Sequence, residues 1–163
     1  MALFDILDLP CALPAGAPLV GLDLGEKTIG VAVSDTALTI ASPLDLIRRR
    51  QFTKDAAALF ALMGSRGAGG MIIGLPLNMD GSEGPRCQSA RAFARNLSRL
   101  KDLPIAFWDE RLSSAAVNRA LIAEGDVSRA RRGALVDKAA AAWILQGALD
   151  RLRAGALAPR TGL

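Results

Sequence analysis

The segment Val20-Gly21-Leu22-Asp23-Leu24-Gly25-Glu26-Lys27-Thr28-Ile29-Gly30-Val31-Ala32-Val33-Ser34-Asp35 constrains the fold more than any other stretch. It reads as an apolar strand, a tight turn around Gly25-Glu26-Lys27 and a second apolar strand. The first strand carries one carboxylate, Asp23, between Leu22 and Leu24. Keeping a charge on an apolar strand is costly unless hydrogen bonds or a cation stabilise it. Two roles therefore suit Asp23: a structural cap on the turn amides of Gly25 or Lys27, or a metal ligand.

The residue types narrow the chemistry. The 163-residue chain has no histidine and no tyrosine, which removes Ser-His-Asp and Cys-His catalysis and His-ligated zinc. Carboxylates and lysine must carry any reaction, with a hard, oxygen-seeking cation such as Mg²⁺ or Mn²⁺. A net charge of +4 leans toward a polyanionic partner. At 51% hydrophobic the chain is not disordered, and no apolar run reaches the roughly 18 residues that span a bilayer. Cys11 and Cys87 have no metal-ligand spacing and are too few for a disulfide scaffold. A cytoplasmic chain with both thiols reduced is expected.

The punctuation of the sequence gives an α/β order. Strands are expected over 19–24, 29–34, 38–48 (broken by Pro43, hence at an edge or a bulge), 70–76 and 104–109. Helices are expected over 54–63, capped by Thr53 and closed at Gly64, and from Pro85 with Ala90, Phe93, Ala94, Leu97 and Leu100 buried. A third helix should start at Ser113 or Ser114 and close at Gly125, followed by a loop with Arg129, Arg131 and Arg132. The last helix is expected over 134–152, with Val136, Ala139, Ala140, Trp143, Ile144 and Gly147 on one stripe. Three strands, then helix, strand, helix, strand, helix, helix is the element order of the ribonuclease H-like fold: a mixed sheet of about five strands flanked by helices. Residues 1–18 are apolar and Pro-rich, but Asp5 and Asp8 stand where a signal peptide would be positive. The expected organisation is a loosely attached extension (1–18), one nuclease-like domain (19–153) and a tail (154–163).

Metal-assisted phosphodiester cleavage needs carboxylates converging from separate elements on one point. Asp23 in the first strand, Glu110 after the Trp108-Asp109 strand end and Asp137 at the start of the last helix have that distribution. Each also has a plainer reading: a turn cap for Asp23, a surface pair with Arg111 for Glu110, and helix-dipole complement for Asp137. Only the three together favour a metal site. Asp35 suits a turn, and Asp109 should point away from Glu110, because adjacent strand residues face opposite sides. The loop Leu75–Pro85, with Asn78 in it, joins a strand to a helix N-terminus and suits either phosphate contact or simple loop closure. Lys27, Arg86, Arg111, Arg129, Arg131 and Arg132 are candidate phosphate contacts, whereas Arg91, Arg95 and Arg99 suit a solvated helix face.

Four segments in order resemble the YqgF/RuvX family: Gly21–Asp35, Ile73–Ser82, Trp108–Ser114 and Val136–Gln146. The resemblance covers about residues 19–152. It implies a ribonuclease H-like bacterial cytoplasmic nuclease that matures the 5′ end of the 16S ribosomal RNA precursor, a family earlier described as resolving Holliday junctions. By position it assigns Asp23, Glu110 and Asp137 as catalytic acids holding two Mg²⁺ or Mn²⁺ ions. Unlike RuvC-type resolvases, the strand ending Gly74-Leu75-Pro76 has no terminal carboxylate, so the second acid must come from Glu110. The implied partner is ribosomal precursor RNA, with branched DNA as the alternative substrate and a weakly catalytic nucleic-acid-binding module as the alternative role. The expected state is a monomer or weak homodimer, away from membranes. An actin-like ATPase, whose phosphate loop the first motif also resembles, would need two such domains.

Overall fold

Hydrogen bonding of the first hairpin sets the frame. The computed structural model describes residues 3–112 and 129–157, with side chains over 5–112 and 138–155. The strands are β1 (Leu3–Phe4), β2 (Leu19–Leu24), β3 (Thr28–Ser34), β4 (Ala41–Arg48), β5 (Gly70–Leu75) and β6 (Ile105–Asp109). They form one mixed sheet in the order β1-β6-β5-β2-β3-β4. The β2–β3 and β3–β4 pairs are antiparallel, and β2–β5, β5–β6 and β1–β6 are parallel. Central β2 and β5 are apolar on both faces, as strands covered by helices on both sides must be. At the β4 edge, Val31 pairs with Asp45 but Ala32 with Pro43, which leaves Leu44 as the extra residue of a bulge. Pro43 thus sits at both an edge and a bulge, where its missing N–H does little harm.

Two helices cover one face. In α2 (Phe52–Arg66), Ala56, Leu59 and Met63 are buried. The N-cap is Gln51 rather than Thr53, and its side chain makes no capping bond. Buried Asp55 instead reaches back to accept the Arg50 N–H at 3.0 Å. The chain leaves the helix at Gly67 (φ 67°), three residues past Gly64, because the left-handed turn is made there. In α3 (Pro85–Leu100), Cys87, Ala90, Phe93, Ala94 and Leu97 are buried as the periodicity requires. Leu100, expected inside, is 56% exposed: the helix ends there and Leu103 turns into the core in its place.

The opposite face is covered by α4 (Arg129–Leu157). It starts five residues before the expected 134, so Arg129, Arg131 and Arg132 stand in a helix rather than a loop. Ala130, Ala134 and the arginines are good helix formers, and only Gly133 interrupts them. Ala140 and Ile144 of the expected stripe are fully buried, but Ala139, Trp143 and Gly147 are half-buried, and Ala141, Ala142, Leu145, Ala148 and Leu149 complete a buried face rotated from the expected one. The helix comes close to the sheet at Gly21, where a methyl group would stand 2.6 Å from Leu145 Cβ and 3.1 Å from the Ala141 carbonyl oxygen. The expected helix beginning at Ser113 or Ser114 lies outside the described residues.

The N-terminal extension is packed rather than loose. The β1 backbone pairs with Ile105 and Ala106 of β6, and Leu9 of the short α1 (Leu9–Ala12) is fully buried. Leu13 and Pro14 lie against Gly70 and Gly69. An apolar segment beside an open sheet edge gains both backbone pairing and burial by docking there. Among the described residues, no helix is long and apolar enough to cross a membrane.

The β3–β4 turn is organised by Asp35, which accepts bonds from the Thr39 amide (2.6 Å), the Thr39 hydroxyl and the Ile40 amide (3.1 Å). The Thr39 hydroxyl bond, then those amides, hold its carboxyl at about 2, below the ordinary 3.8. Gln146 of α4 clamps the same turn, accepting the Ala41 N–H at 2.8 Å and donating to the Thr39 carbonyl at 3.0 Å.

Gly21→Ala forces α4 away from β2 and should lower stability by about 1–3 kcal/mol, read as a drop in Tm. A depressed carboxyl stabilises the fold above its ordinary pKa and loses that contribution as pH falls through the folded value. Asp35→Ala should therefore melt below wild type at pH 7, with the gap closing as pH falls from about 4 to about 2.

Candidate metal and nucleic-acid site

Parity along the strands determines which side chains meet. In β2, Val20 and Leu22 face α2 and α3, whereas Leu19, Gly21 and Asp23 face α4. Leu22 pairs with Ile73, so Asp23 and Gly74 are next in line side by side at the carboxyl ends of β2 and β5. On its other flank Asp23 pairs with Gly30 of β3. Both lateral neighbours of Asp23 are therefore glycines, and the space beside its carboxylate holds no cross-strand side chain. Asp23 itself is buried, at 5% exposure.

Glu110 comes to that space from the next strand. Beyond β6 the chain makes a 3₁₀ turn over Glu110–Leu112. A methyl group at Gly74 would stand 2.7 Å from Glu110 Oε1 and 2.6 Å from Ile144 Cδ1. The Glu110 carboxylate thus lies over Gly74, which lies beside Asp23. Only a glycine at 74 leaves that room.

Asp109 points the other way, as strand alternation requires, and binds Arg111. The Arg111 Nη2–Asp109 Oδ2 distance is 2.7 Å, and Arg111 Nε donates to both Asp109 oxygens at 3.1 Å. This guanidinium holds the Asp109 carboxyl below the usual carboxylate range, and Asp109 in turn raises Arg111. Arg111 also donates to the Met79 carbonyl at 3.2 Å, tying the 3₁₀ turn to the 76–84 loop. That loop closes on itself: Asn78 Nδ2 donates to Ser82 Oγ at 3.0 Å, and Asp80 accepts the Ser82 amide and hydroxyl. The Ser82 hydroxyl bond is the main reason the Asp80 carboxyl is lowered.

Asp137 lies in α4 one turn before Ala141, whose carbonyl stands over Gly21. The side chains of Asp137, Arg129, Arg131 and Arg132 lie outside the described ones. Among the described residues, no group of three or more His, Cys, Asp or Glu is arranged to hold a metal ion. Asp23 and Glu110 supply two oxygen donors beside a glycine cradle. That donor chemistry fits a hard divalent cation.

Lys27 and Arg86 are exposed at the same end of the sheet, with Arg86 Nη2 3.4 Å from the Leu24 carbonyl. One basic residue at this end was not singled out by sequence reasoning. Arg49, in the run Arg48-Arg49-Arg50 just past β4, donates from Nη1 to the Gly25 carbonyl at 2.8 Å. Three consecutive arginines at a strand end were the available signal.

A family model described as RuvX, Holliday junction resolvase, matches residues 17–151. The chain belongs to the RuvX family. Relatives named "Putative pre-16S rRNA nuclease" include one from Phenylobacterium zucineum, 70% identical over 154 residues, covering 94% of this chain and 99% of the relative. A Caulobacter vibrioides relative is 66% identical with the same coverage, and one from Rhodospirillum rubrum is 64% identical over 141 residues, covering 86% and 88%. Among solved structures, T. thermophilus RuvC in complex with a Holliday junction substrate matches with TM-score 0.52 at 11% identity, covering 84% of this chain and 96% of that one. That likeness shows the fold: the RuvX chain is ribonuclease H-like.

Gly74→Ala should displace the Glu110 carboxylate. We expect nuclease activity at least about tenfold down, well beyond what the accompanying loss of thermal stability accounts for. Initial cleavage rates measured well below Tm check this.

Proposed function

We propose that this RuvX protein is a divalent-metal-dependent endonuclease that trims the 5′ end of the 16S ribosomal RNA precursor. The observation that carries the reading is the pairing of buried Asp23 with Glu110 across Gly74. The names of the RuvX relatives support the substrate. Asp23, Glu110 and Asp137 would hold the metal, two Mg²⁺ or Mn²⁺ ions. When bound, such ions activate water and neutralise charge on the departing oxygen.

The chain's own residues do the positioning. Asp23 contributes a carboxylate on a central strand, paired on both sides. Glu110 contributes one from a 3₁₀ turn that Arg111 pins to Asp109 and to Met79. Asp137 would supply the third acid from the third turn of α4, a helix that Gly21 allows to lie close on the sheet. Lys27, Asn78, Arg86, Arg111, Arg131 and Arg132 would contact the nucleic-acid backbone, giving affinity without reading sequence. Arg111 and Asn78 bring only the donors their internal bonds leave over.

The family's description as a Holliday junction resolvase keeps a four-way DNA junction as the second substrate to test. Purified protein would be incubated with precursor RNA and with a four-way junction, each with Mg²⁺ or Mn²⁺. We expect cleavage of the RNA, and a loss of at least about 100-fold in Asp23→Asn, with RNA binding retained. Cutting by Asp23→Asn at the wild-type rate would sink the metal site; cutting of the junction alone would sink the RNA assignment.

A further inference from the structure

A second basic feature lies on the opposite sheet face from Asp23, at the same strand end. Leu24, Gly25 and Glu26, leaving β2, form one wall of a cleft of about 310 Å³. Arg49 and the start of α3 (Pro85, Arg86, Ser89) form the rest. Leu24 packs toward α2 and α3, so the cleft opens one residue past Asp23 but on the other side.

Both arginines are fixed without being neutralised. The Arg49 backbone N–H donates to the Lys27 carbonyl at 2.8 Å, and the next N–H, of Arg50, goes to the buried Asp55 carboxylate. The Arg49 guanidinium spends one N–H on the Gly25 carbonyl and sits 5.7 Å from the Phe93 ring centroid. Arg86 reaches the preceding carbonyl, Leu24. Among the described residues the ion pairs are Arg91–Glu83 and Arg111–Asp109, and neither Arg49 nor Arg86 is in one. A guanidinium has five N–H donors in a rigid fork matched to phosphate oxygens. Two such forks, bonded to neutral carbonyls on consecutive residues and in no ion pair with the Glu26 that shares the cleft, keep their remaining donors for a ligand.

The geometry points to a seat for a phosphodiester group in this cleft, held by Arg49 and Arg86. The inference rests on the nuclease reading: with the scissile position near Asp23, this seat would take a flanking backbone phosphate of the same strand as it passes around the β2 end. Nucleic acid would then touch both faces of the sheet.

The test is binding without cleavage. A fluorescein-labelled single-stranded RNA oligonucleotide is titrated by anisotropy in EDTA across a KCl series, with wild type, Arg49→Ala, Arg49→Ala/Arg86→Ala and Arg49→Lys. Arg66→Ala, at the far end of α2, is the control, and melting curves verify folding. We expect the double variant to bind about tenfold more weakly. Its log Kd against log salt slope should be shallower by about 0.7 for each phosphate it no longer neutralises. Arg49→Lys should fall between it and wild type, and Arg66→Ala should match wild type. Unchanged affinity and slope in the double variant would overturn the seat and leave the nuclease reading standing. Failure of wild type itself to bind RNA would overturn both.

Discussion

The contact of α4 with β2 at Gly21 is the constraint on which the rest of the structure depends. A 29-residue helix can bury its Ala141–Ile144–Leu145–Ala148–Leu149 stripe on the sheet only if the strand beneath it offers no side chain. Gly21 provides that absence under Leu145, and Gly74 provides it under Ile144. The small residues on the helix extend the same logic, since Ala141, Ala142 and Ala148 keep the axis low over β2, β3 and β5. The depth of that seat sets how closely the helix lies over the strands that carry Asp23 and Gly74. Fold stability and site geometry are thus two consequences of one close approach.

The same absence of side chains gives Asp23 its chemistry. The Asp23 carboxylate is buried between two strand glycines, Gly30 and Gly74, which leave space beside it. Glu110 brings a second negative group toward that space instead. The turn residue Asp109 could have competed for this role, but strand alternation turns it outward and Arg111 takes it as an ion-pair partner. Arg111 therefore contributes to Glu110 placement through Asp109 and Met79, a role its position in the sequence does not distinguish from direct phosphate contact.

Much of this is legible in the residues. The β2 and β5 bounds, the edge position of Pro43, the α3 buried face and the turn role of Asp35 follow from periodicity and turn chemistry, which are local. What is not legible depends on tertiary partners. The extension reads as loose because its apolar residues have no periodicity, yet an open β6 edge receives it. The sequence points to Gly64 as the helix stop, but the left-handed conformation is adopted three residues later at Gly67, which local pattern does not reveal. The stripe of the last helix comes out rotated because alanines are compatible with either face; Gly21 and Gly74, far away in the chain, select the right one. Asp23 and Glu110 are readable as candidates, but the glycine that lets them meet is not, since a strand glycine such as Gly74 more often signals weakness than room.

The distribution of ion pairs separates two kinds of arginine. Arg91 and Arg111 are bound to Glu83 and Asp109, so their charges are largely cancelled and their contribution is local order. Arg49 and Arg86 hydrogen-bond to carbonyl oxygens, which orient a guanidinium through its donors but do not compensate its net charge. The carbonyls belong to Gly25 and Leu24, the two residues that follow Asp23. A turn whose carbonyls are drawn toward two arginines is stiffened at the point where the carboxylate strand ends. The proposed phosphate seat and the proposed acidic centre would in this way share one pair of contacts, on opposite sides of a single strand.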